Sequence, residues 1–484
     1  MFTTKKTFFL FITVLLIKLC YVLFINHHFR QSHIIGNYLA IKGNDTQTYI
    51  EPIENYLQHD SYGMFMSEFT PFNNKLTQQY YTTIRTPHYG LFYLMFRLLF
   101  SSKISFDLLV FLQILVEVFA ILAFSKMIFE ITKSKTGYYT SLAFLVLSSW
   151  ITFYAGEMIT ESFTCSFLML GFVFYHKWLR DKRNIQLIIS GAFIGYAITM
   201  KPFLLPYMAI MGISIWIFTK SIINTMRDFI LFCLPLFLLL TPWVIRNYIN
   251  TKEFILFSKP MYYPCKKLVS SCGIFLSAWG GDAIWWEGKC RTAGTFFFPT
   301  GSNRECEYVF PSYAYAPEYN LDSLREIRGL IARFEENTAN DSLDTYIASR
   351  FSKMTQSYKQ HNPVQYYLVA PLMRIKSAFI KSGSYYINPT TFPLKLFKIF
   401  QTLLYWFPLF FGTIGLIVFG LPKLLEPFNM AIIGFPISLI IVLTVMLKLN
   451  EWRYFIHVYP ILILFMTKFF LYLKDRFLPL FKEN

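Results

Sequence analysis

The stretch Tyr89-Gly90-Leu91-Phe92-Tyr93-Leu94-Met95-Phe96-Arg97-Leu98-Leu99-Phe100 is twelve residues long, apolar, and interrupted by one arginine. A membrane-crossing helix needs about 20 mostly apolar residues, so this one is too short to cross and too apolar for a water-facing loop. Whether it is counted decides the side on which every later loop lies. Ten longer apolar stretches surround it, at residues 8–25, 106–124, 138–154, 159–175, 185–200, 203–218, 229–245, 396–421, 428–447 and 454–473. With residues 89–100 left out, Lys126, Lys133, Lys135, Lys177, Arg180, Lys182, Arg183, Lys220, Arg227, Lys423, Lys474 and Arg476 all share the N-terminal side. Short cytoplasmic loops collect Lys and Arg. The segment is therefore expected to be an interfacial or re-entrant helix, with about ten helices crossing and both termini inside. Residues 8–25, preceded by Lys5 and Lys6, are expected to be an uncleaved first span, because no small-residue cleavage site follows.

Composition admits only a multi-pass α-helical membrane protein. Hydrophobic residues make up 55% of the 484, charged residues 15%, and mean hydropathy is +0.41, whereas a soluble domain carries roughly 25% charged residues. Disorder, collagen and coiled coil are excluded by the same numbers. The net charge of +17 fits positive-inside loops and anionic headgroups. No basic run is interleaved with a nucleic-acid-binding module, so no nucleic-acid partner is expected.

This topology leaves residues 27–103 and 247–395 on the outer face, with shorter outer turns at 155–158, 201–202 and 450–453. The expected organisation is a transmembrane module over 1–248 that includes the first outer loop (27–103), a soluble insertion over 249–395, and C-terminal transmembrane helices over 396–484. Cys20, Cys165 and Cys233 lie in spans, where Cys behaves as a small hydrophobe. Cys265, Cys272, Cys290 and Cys306 lie in the insertion without a CxxC pair, which disfavours zinc and suggests two disulfides, with three pairings open. Trp279, Trp285 and Trp286, near Asp282 and Glu287, fit a core of the insertion better than a sugar-stacking surface.

Ionisable residues gather at one level, the outer membrane boundary: Asp45, Glu51, Arg85, His88, Glu157, Glu161, Lys201, Arg246, Glu451 and Arg453. Singly, each cation can snorkel to headgroups and each carboxylate can be solvated. Together, cations set against the positive-inside trend and carboxylates at the same height suit an anionic lipid head with a polar reaction beside it.

The run GNDTQTYIEPIENYLQHDSYG from Gly43 resembles the Gly-Asp-x-x-x-Tyr segment of membrane glycosyltransferases of the GT-C fold. Within that group it is similar to bacterial relatives of the protein mannosyltransferases and the aminoarabinose lipid A transferases (glycosyltransferase family 39-like). RTPHYGLFYLMFRLLF from Arg85 resembles their juxtamembrane helix, and ITESFTCSFLML, GAFIGYAITMKPFLLP, TPWVIRNYINTKEFILFS and NEWRYFIHVYP follow in the family's order. Lys201 stands where relatives carry Arg before Pro, and Asp45 is followed by Thr46 rather than forming an Asp-Glu pair.

The resemblance implies a GT-C fold with outer juxtamembrane helices. It also implies a transferase that moves a sugar from a polyisoprenyl-phosphate donor to a hydroxyl or phosphate on the non-cytoplasmic face, with inversion. Asp45 would be the base and Glu161 a second carboxylate; Arg246, Lys201 and Arg85 would hold the donor phosphate. Tyr49, Glu157 and Arg453 would contact acceptor or sugar. The acceptor stays open among lipid, glycan and protein. No cofactor is assigned; some GT-C enzymes use a divalent metal, but the sequence carries no dedicated acidic cluster. The expected location is a bacterial inner membrane with the site facing the periplasm, since a glycan on the sequon Asn44-Asp45-Thr46 would obstruct Asp45. A second sequon lies at Asn340-Asp341-Ser342. The competing classes are a transporter or flippase of a lipid-linked saccharide, which calls for mid-membrane charges beyond Glu117 and an inverted repeat, and a surface-glycan polymerase or ligase. Cysteines placed at Asn74 and Asn320 are expected to react with an impermeant thiol reagent from outside, and one at Lys182 is not; labelling at Lys182 overturns the non-spanning assignment of residues 89–100.

Overall fold

Backbone inside hydrocarbon has only itself and buried side chains to hydrogen-bond, and this chain is helical almost throughout. The computed structural model describes residues 4–43, 45–65, 80–81, 85–258, 267–281, 292–298, 308–337, 340–380, 387, 389–448 and 452–477. The helices are α1 (Thr4–Phe29), α2 (Thr46–His59), α3 (His88–Arg97), α4 (Ser102–Thr132), α5 (Lys135–Leu147), α6 (Ser149–Gly156), α7 (Glu161–Asp181), α8 (Asn184–Met200), α9 (Tyr207–Thr219) and α10 (Ile222–Thr251). They continue with α11 (Lys267–Trp279), α12 (Ala293–Phe297), α13 (Leu321–Glu336), α14 (Asp341–His361), α15 (Ala370–Ile380), α16 (Phe392–Gly415), α17 (Pro427–Ile440) and α18 (Tyr459–Phe477). Among the described residues, the only strands are the two-residue pair Met64–Phe65 and Tyr80–Tyr81.

Seven described helical stretches are long and apolar enough to cross a membrane, and α5 with α6 makes an eighth if that pair, bent by 41°, is one span. The protein is a multi-pass helical membrane protein. Every apolar stretch marked in the sequence overlaps a helix, that at 138–154 being divided between α5 and α6. Residues 159–175 and 185–200 fall on α7, whose last turns carry Lys177, Arg180 and Asp181, and on α8, which has only 17 residues. The disputed segment is α3, ten residues long, so it rises only about 15 Å, half the hydrocarbon thickness. Its awkward arginine has a partner: Arg97 Nε donates to Glu54 Oε1 of α2 at 2.9 Å.

The break between α5 and α6 falls at Ser148-Ser149, and small polar pairs are a common cause of such kinks. Buried side chains satisfy the freed backbone. Lys18, fully buried in α1, donates to Leu145 O at 2.9 Å and Thr152 Oγ1 at 2.6 Å and pairs with Glu117 of α4 at 3.1 Å. Gln401 of α16 donates to Leu147 O at 3.1 Å and accepts from Ser149 N at 2.8 Å. Elsewhere helices touch backbone to backbone: a Cβ on Gly191 of α8 would lie 2.0 Å from Phe232 O of α10, so only glycine allows that approach.

Helices α11 to α14 enclose a second core around Phe275, Phe297, Phe310, Phe351 and Trp279. Trp279 is in that core, as expected; Asp282, Trp285, Trp286 and Glu287 lie outside the described residues. The expectation of two disulfides needs correction. Cys272 is a free thiol, buried in α11 against this core, and burial pushes its pKa well up; Cys265, Cys290 and Cys306 lie outside the described residues. Cysteine buried as a hydrophobe satisfies the same sequence pattern.

Removing one member of a buried ion pair strands the other, at a cost of about 3–5 kcal/mol. Glu117→Ala is therefore expected to lower the thermal unfolding temperature in detergent clearly, and the double change Lys18→Met with Glu117→Met to regain most of the loss. A double variant no better than the single one overturns the pairing argument.

Candidate functional site

Loop geometry begins with Asp107 of α4, whose carboxylate accepts from the backbone N–H groups of Asn37, Tyr38, Leu39 and Ala40 at 2.8–3.0 Å. A side chain on Gly36 would collide with that carboxylate, its Cβ 2.0 Å from Oδ1. So anchored, the chain lays Ile41 alongside Glu157 in a short parallel bridge. Gln113 of α4 holds the same turn, donating to Ala155 O and Glu157 O at 3.0 Å each. Two residues on, Gly43 N donates to Thr46 Oγ1 at 2.8 Å and α2 begins.

Asp45 occupies the N-cap position of α2 but makes no side-chain cap bond. Its carboxylate turns instead to two arginines: Arg453 Nη1 lies 3.0 Å from Oδ2 and Arg85 Nη2 3.8 Å from Oδ1. Arg453 also reaches Glu161, the first residue of α7, its Nε 3.7 Å from Oε1. The same Oε1 accepts from Lys201 Nζ at 2.8 Å. Five side chains from five distant segments thus alternate in sign, in the order Lys201, Glu161, Arg453, Asp45, Arg85. Three cations against two carboxylates leave one positive charge.

Aromatic faces line the chain of charges. Tyr454 lies under both Lys201 (4.8 Å) and Arg453 (5.0 Å), and Tyr49 under Arg85 (5.0 Å). Arg85 is placed by its neighbours: Thr86 Oγ1 donates to Thr199 O at 2.7 Å, His88 is bonded to Leu239 O at 3.1 Å, and Arg85 Nε donates to Thr48 Oγ1 at 3.3 Å.

Exposure grades along the row. Glu161 and Lys201 are 1% and 6% exposed in their side chains, whereas Arg453, Asp45 and Arg85 are 20%, 22% and 31% exposed. The inner end is a closed anchor and the outer end an open cationic lip. Burial alone would raise the Asp45 pKa, but Arg453, Arg85 and Lys201 together override it and hold the carboxyl at about 2.

Of the residues singled out in the sequence, Asp45, Glu161, Lys201, Arg85, Arg453 and Tyr49 converge; the Tyr49 hydroxyl lies 3.4 Å from Thr160 Oγ1 beside Glu161. Arg246 stands one side chain away. It donates to Tyr62 O at 2.8 Å and lies over the Tyr62 ring, and the Tyr62 hydroxyl donates to Arg85 O at 3.1 Å. Glu157 points elsewhere: it pairs with Arg30, which lies 4.4 Å over Phe153, and burial raises its pKa despite that arginine. Arg30, Tyr454 and Tyr62 are further members of this network. For Arg30 a signal exists, a cation at the far end of the first span. Asn44 and Glu451 lie outside the described residues. Among the described residues no three His, Cys, Asp or Glu side chains converge as a metal-sized group.

Compared with protein-family models and with curated proteins, the chain matches none.

Glu161→Gln leaves Lys201 buried without its anion and is expected to cost about 3–5 kcal/mol, whereas Asp45→Asn at the open end is expected to cost less, about 1–2 kcal/mol. Thermal unfolding of the two variants in detergent checks the ranking, and equal losses overturn the division into anchor and lip.

Proposed function

We propose that the protein is a GT-C glycosyltransferase of about ten spans in a bacterial inner membrane. It moves a sugar from a polyisoprenyl-phosphate donor to an acceptor hydroxyl or phosphate on the periplasmic side. The observation that carries this reading is the half-open row of cations holding a carboxylate between them. A lipid-linked sugar phosphate presents a singly charged phosphodiester at the membrane boundary, and a site with one surplus positive charge and two reachable arginines complements it.

In the proposed displacement the acceptor oxygen attacks the anomeric carbon. The bond from that carbon to the phosphate oxygen breaks, its electron pair staying on the polyprenyl phosphate, and the acceptor proton passes to Asp45. Arg85 and Arg453, with Arg246 behind them, stabilise the charge gathering on the leaving phosphate. A carboxyl held near 2 is a weak base while both arginines grip it. A donor phosphate that draws the arginines to itself loosens that grip, so donor binding strengthens the base before the acceptor is attacked. Glu161, tied to Lys201, keeps Arg453 placed throughout.

In a cell-free assay with a labelled polyprenyl-phosphate sugar, the label is expected to leave the lipid only when acceptor is present. Asp45→Asn is expected to cut turnover by about 100-fold or more while donor binding is largely retained. Because Asp45 does not cap α2, the loss cannot be put down to a frayed helix. Near-normal turnover in the variant removes Asp45 from the role of base, and donor moved between leaflets without being consumed identifies a transporter instead.

A further inference from the structure

Tyr62 has no part in the proposed displacement, yet it touches two of the three arginines placed around the donor phosphate. Its position is set by the end of α2. Asp60 closes that helix in the left-handed region, at φ 52°, its N–H donating to Tyr56 O at 3.0 Å. A residue in this conformation turns the chain off the helix axis. Asn55, within α2, then donates to Gly63 O at 2.7 Å. Tyr62 is held between these two fixed points.

Each end of this residue serves a different cation. The Tyr62 carbonyl accepts from Arg246 Nη2 at 2.8 Å, and the hydroxyl donates to Arg85 O at 3.1 Å. The Arg246 guanidinium lies 5.3 Å from the centroid of the Tyr62 ring and 5.2 Å from that of Trp243, and the two rings meet edge to face at 5.6 Å. Arg246 Nη1 donates to Asn247 Oδ1 at 3.0 Å. Trp243 and Asn247 are themselves fixed, donating to Phe257 O at 2.6 Å and Ile255 O at 3.2 Å. Burial pushes the pKa of the Tyr62 hydroxyl up, and the charges of Arg246 and Arg85 oppose that rise, so both guanidiniums stand near the one hydroxyl.

We infer that Tyr62 is a positioning residue for the donor phosphate, holding the Arg246 guanidinium with its ring and carbonyl and tying it through its hydroxyl to the backbone that carries Arg85. The inference rests on the transferase reading above. Arg246 stands on α10 and Arg85 precedes α3, so without such a tie the two cations are set by separate elements. A planar guanidinium stacked on a ring and bonded at both amino groups has little freedom left to lose when it grips a phosphate. The ring acts on Arg246 through the cation–π contact, which is worth more where water is partly excluded. The phosphate is present in the ground state and in the transition state alike. Loss of the residue that places its holder therefore raises the donor KM more than it lowers kcat.

Titration of the full-length protein in detergent with a sugar-free polyprenyl monophosphate tests this role. Tyr62→Phe keeps the ring and is expected to stay within about threefold of the unmodified affinity, whereas Tyr62→Leu loses ring and hydroxyl and is expected to weaken binding about tenfold or more. Should the leucine variant fail to fold, Tyr62→Met, with a more adaptable chain, takes its place. Because Tyr62 acts through Arg246, adding Tyr62→Leu to Arg246→Ala is expected to cost about threefold or less beyond Arg246→Ala alone. In turnover with the sugar-loaded donor, KM is expected to rise as affinity falls while kcat stays within about threefold. A folded Tyr62→Leu protein that binds as tightly as the unmodified one, or losses that multiply in full in the double variant, overturn the positioning role alone. An unmodified protein that binds no polyprenyl phosphate overturns the function proposed above and this role with it.

Discussion

Carbonyl and amide groups freed by a helix break inside hydrocarbon must find partners within the protein, and the break at Ser148 is where this chain meets that demand. Lys18 from α1 and Gln401 from α16 supply the missing bonds, and Glu117 from α4 neutralises the lysine. Four segments far apart in sequence are thereby pinned to one point. The break also redirects α6, so that residues 155–158 run beside Ile41 instead of ending in open solvent. Glu161 then opens α7 within reach of Lys201 and Arg453. A straight span from α5 through α6 would carry this turn elsewhere, and the row of charges could not close.

The row tolerates burial because its signs alternate. An isolated carboxylate as enclosed as Glu161 would be costly, and the Lys201 bond at 2.8 Å offsets that cost. The outer end has no such need for permanence. Arg85 stands 3.8 Å from Asp45, at the loose end of ion-pair distances, and its guanidinium is held as much by Thr48 and the Tyr49 ring as by the carboxylate. An anion arriving at this end meets arginines already oriented by other contacts, so little ordering remains to oppose binding.

Much of this was legible in the sequence because polar residues stand out against an apolar background. Asp45, Arg85, Glu161, Lys201 and Arg453 could be placed at one level from hydropathy alone. Hydropathy gives height in the membrane and says nothing of direction around the bundle. Glu157 and Glu161 sit at the same height, yet one faces Arg30 and the other Lys201. Arg246 shares the level too, but its helix directs it to Tyr62. Lys18 is hidden for the converse reason: one lysine barely lowers the hydropathy of a long apolar run, and its partners lie roughly a hundred residues away or more. Cys272 misled because an even count of cysteines in an outer segment is a statement about compartment, and a buried thiol in a helical core gives the same count.

Among the described residues, polar ties fasten the insertion to the segment that precedes the site. Arg374, within α15, donates to Ser277 O in α11 at 2.6 Å and to Thr444 O at 2.8 Å. Thr444 lies in the π-helical last turn that extends α17, Ile441–Met446, whose wider winding leaves that carbonyl open to a side chain. Lys448, with its backbone in the left-handed region, then donates to the Tyr366 hydroxyl at 3.1 Å. The chain that leaves these contacts reaches Arg453 five residues later, and among the described residues Arg453 is the side chain ion-paired with both Asp45 and Glu161. The core of α11 to α14 is thus fastened to the segment that delivers the central cation. In sequence Arg453 lies only five positions beyond Lys448, so the insertion is tied close to the cation that the two carboxylates share.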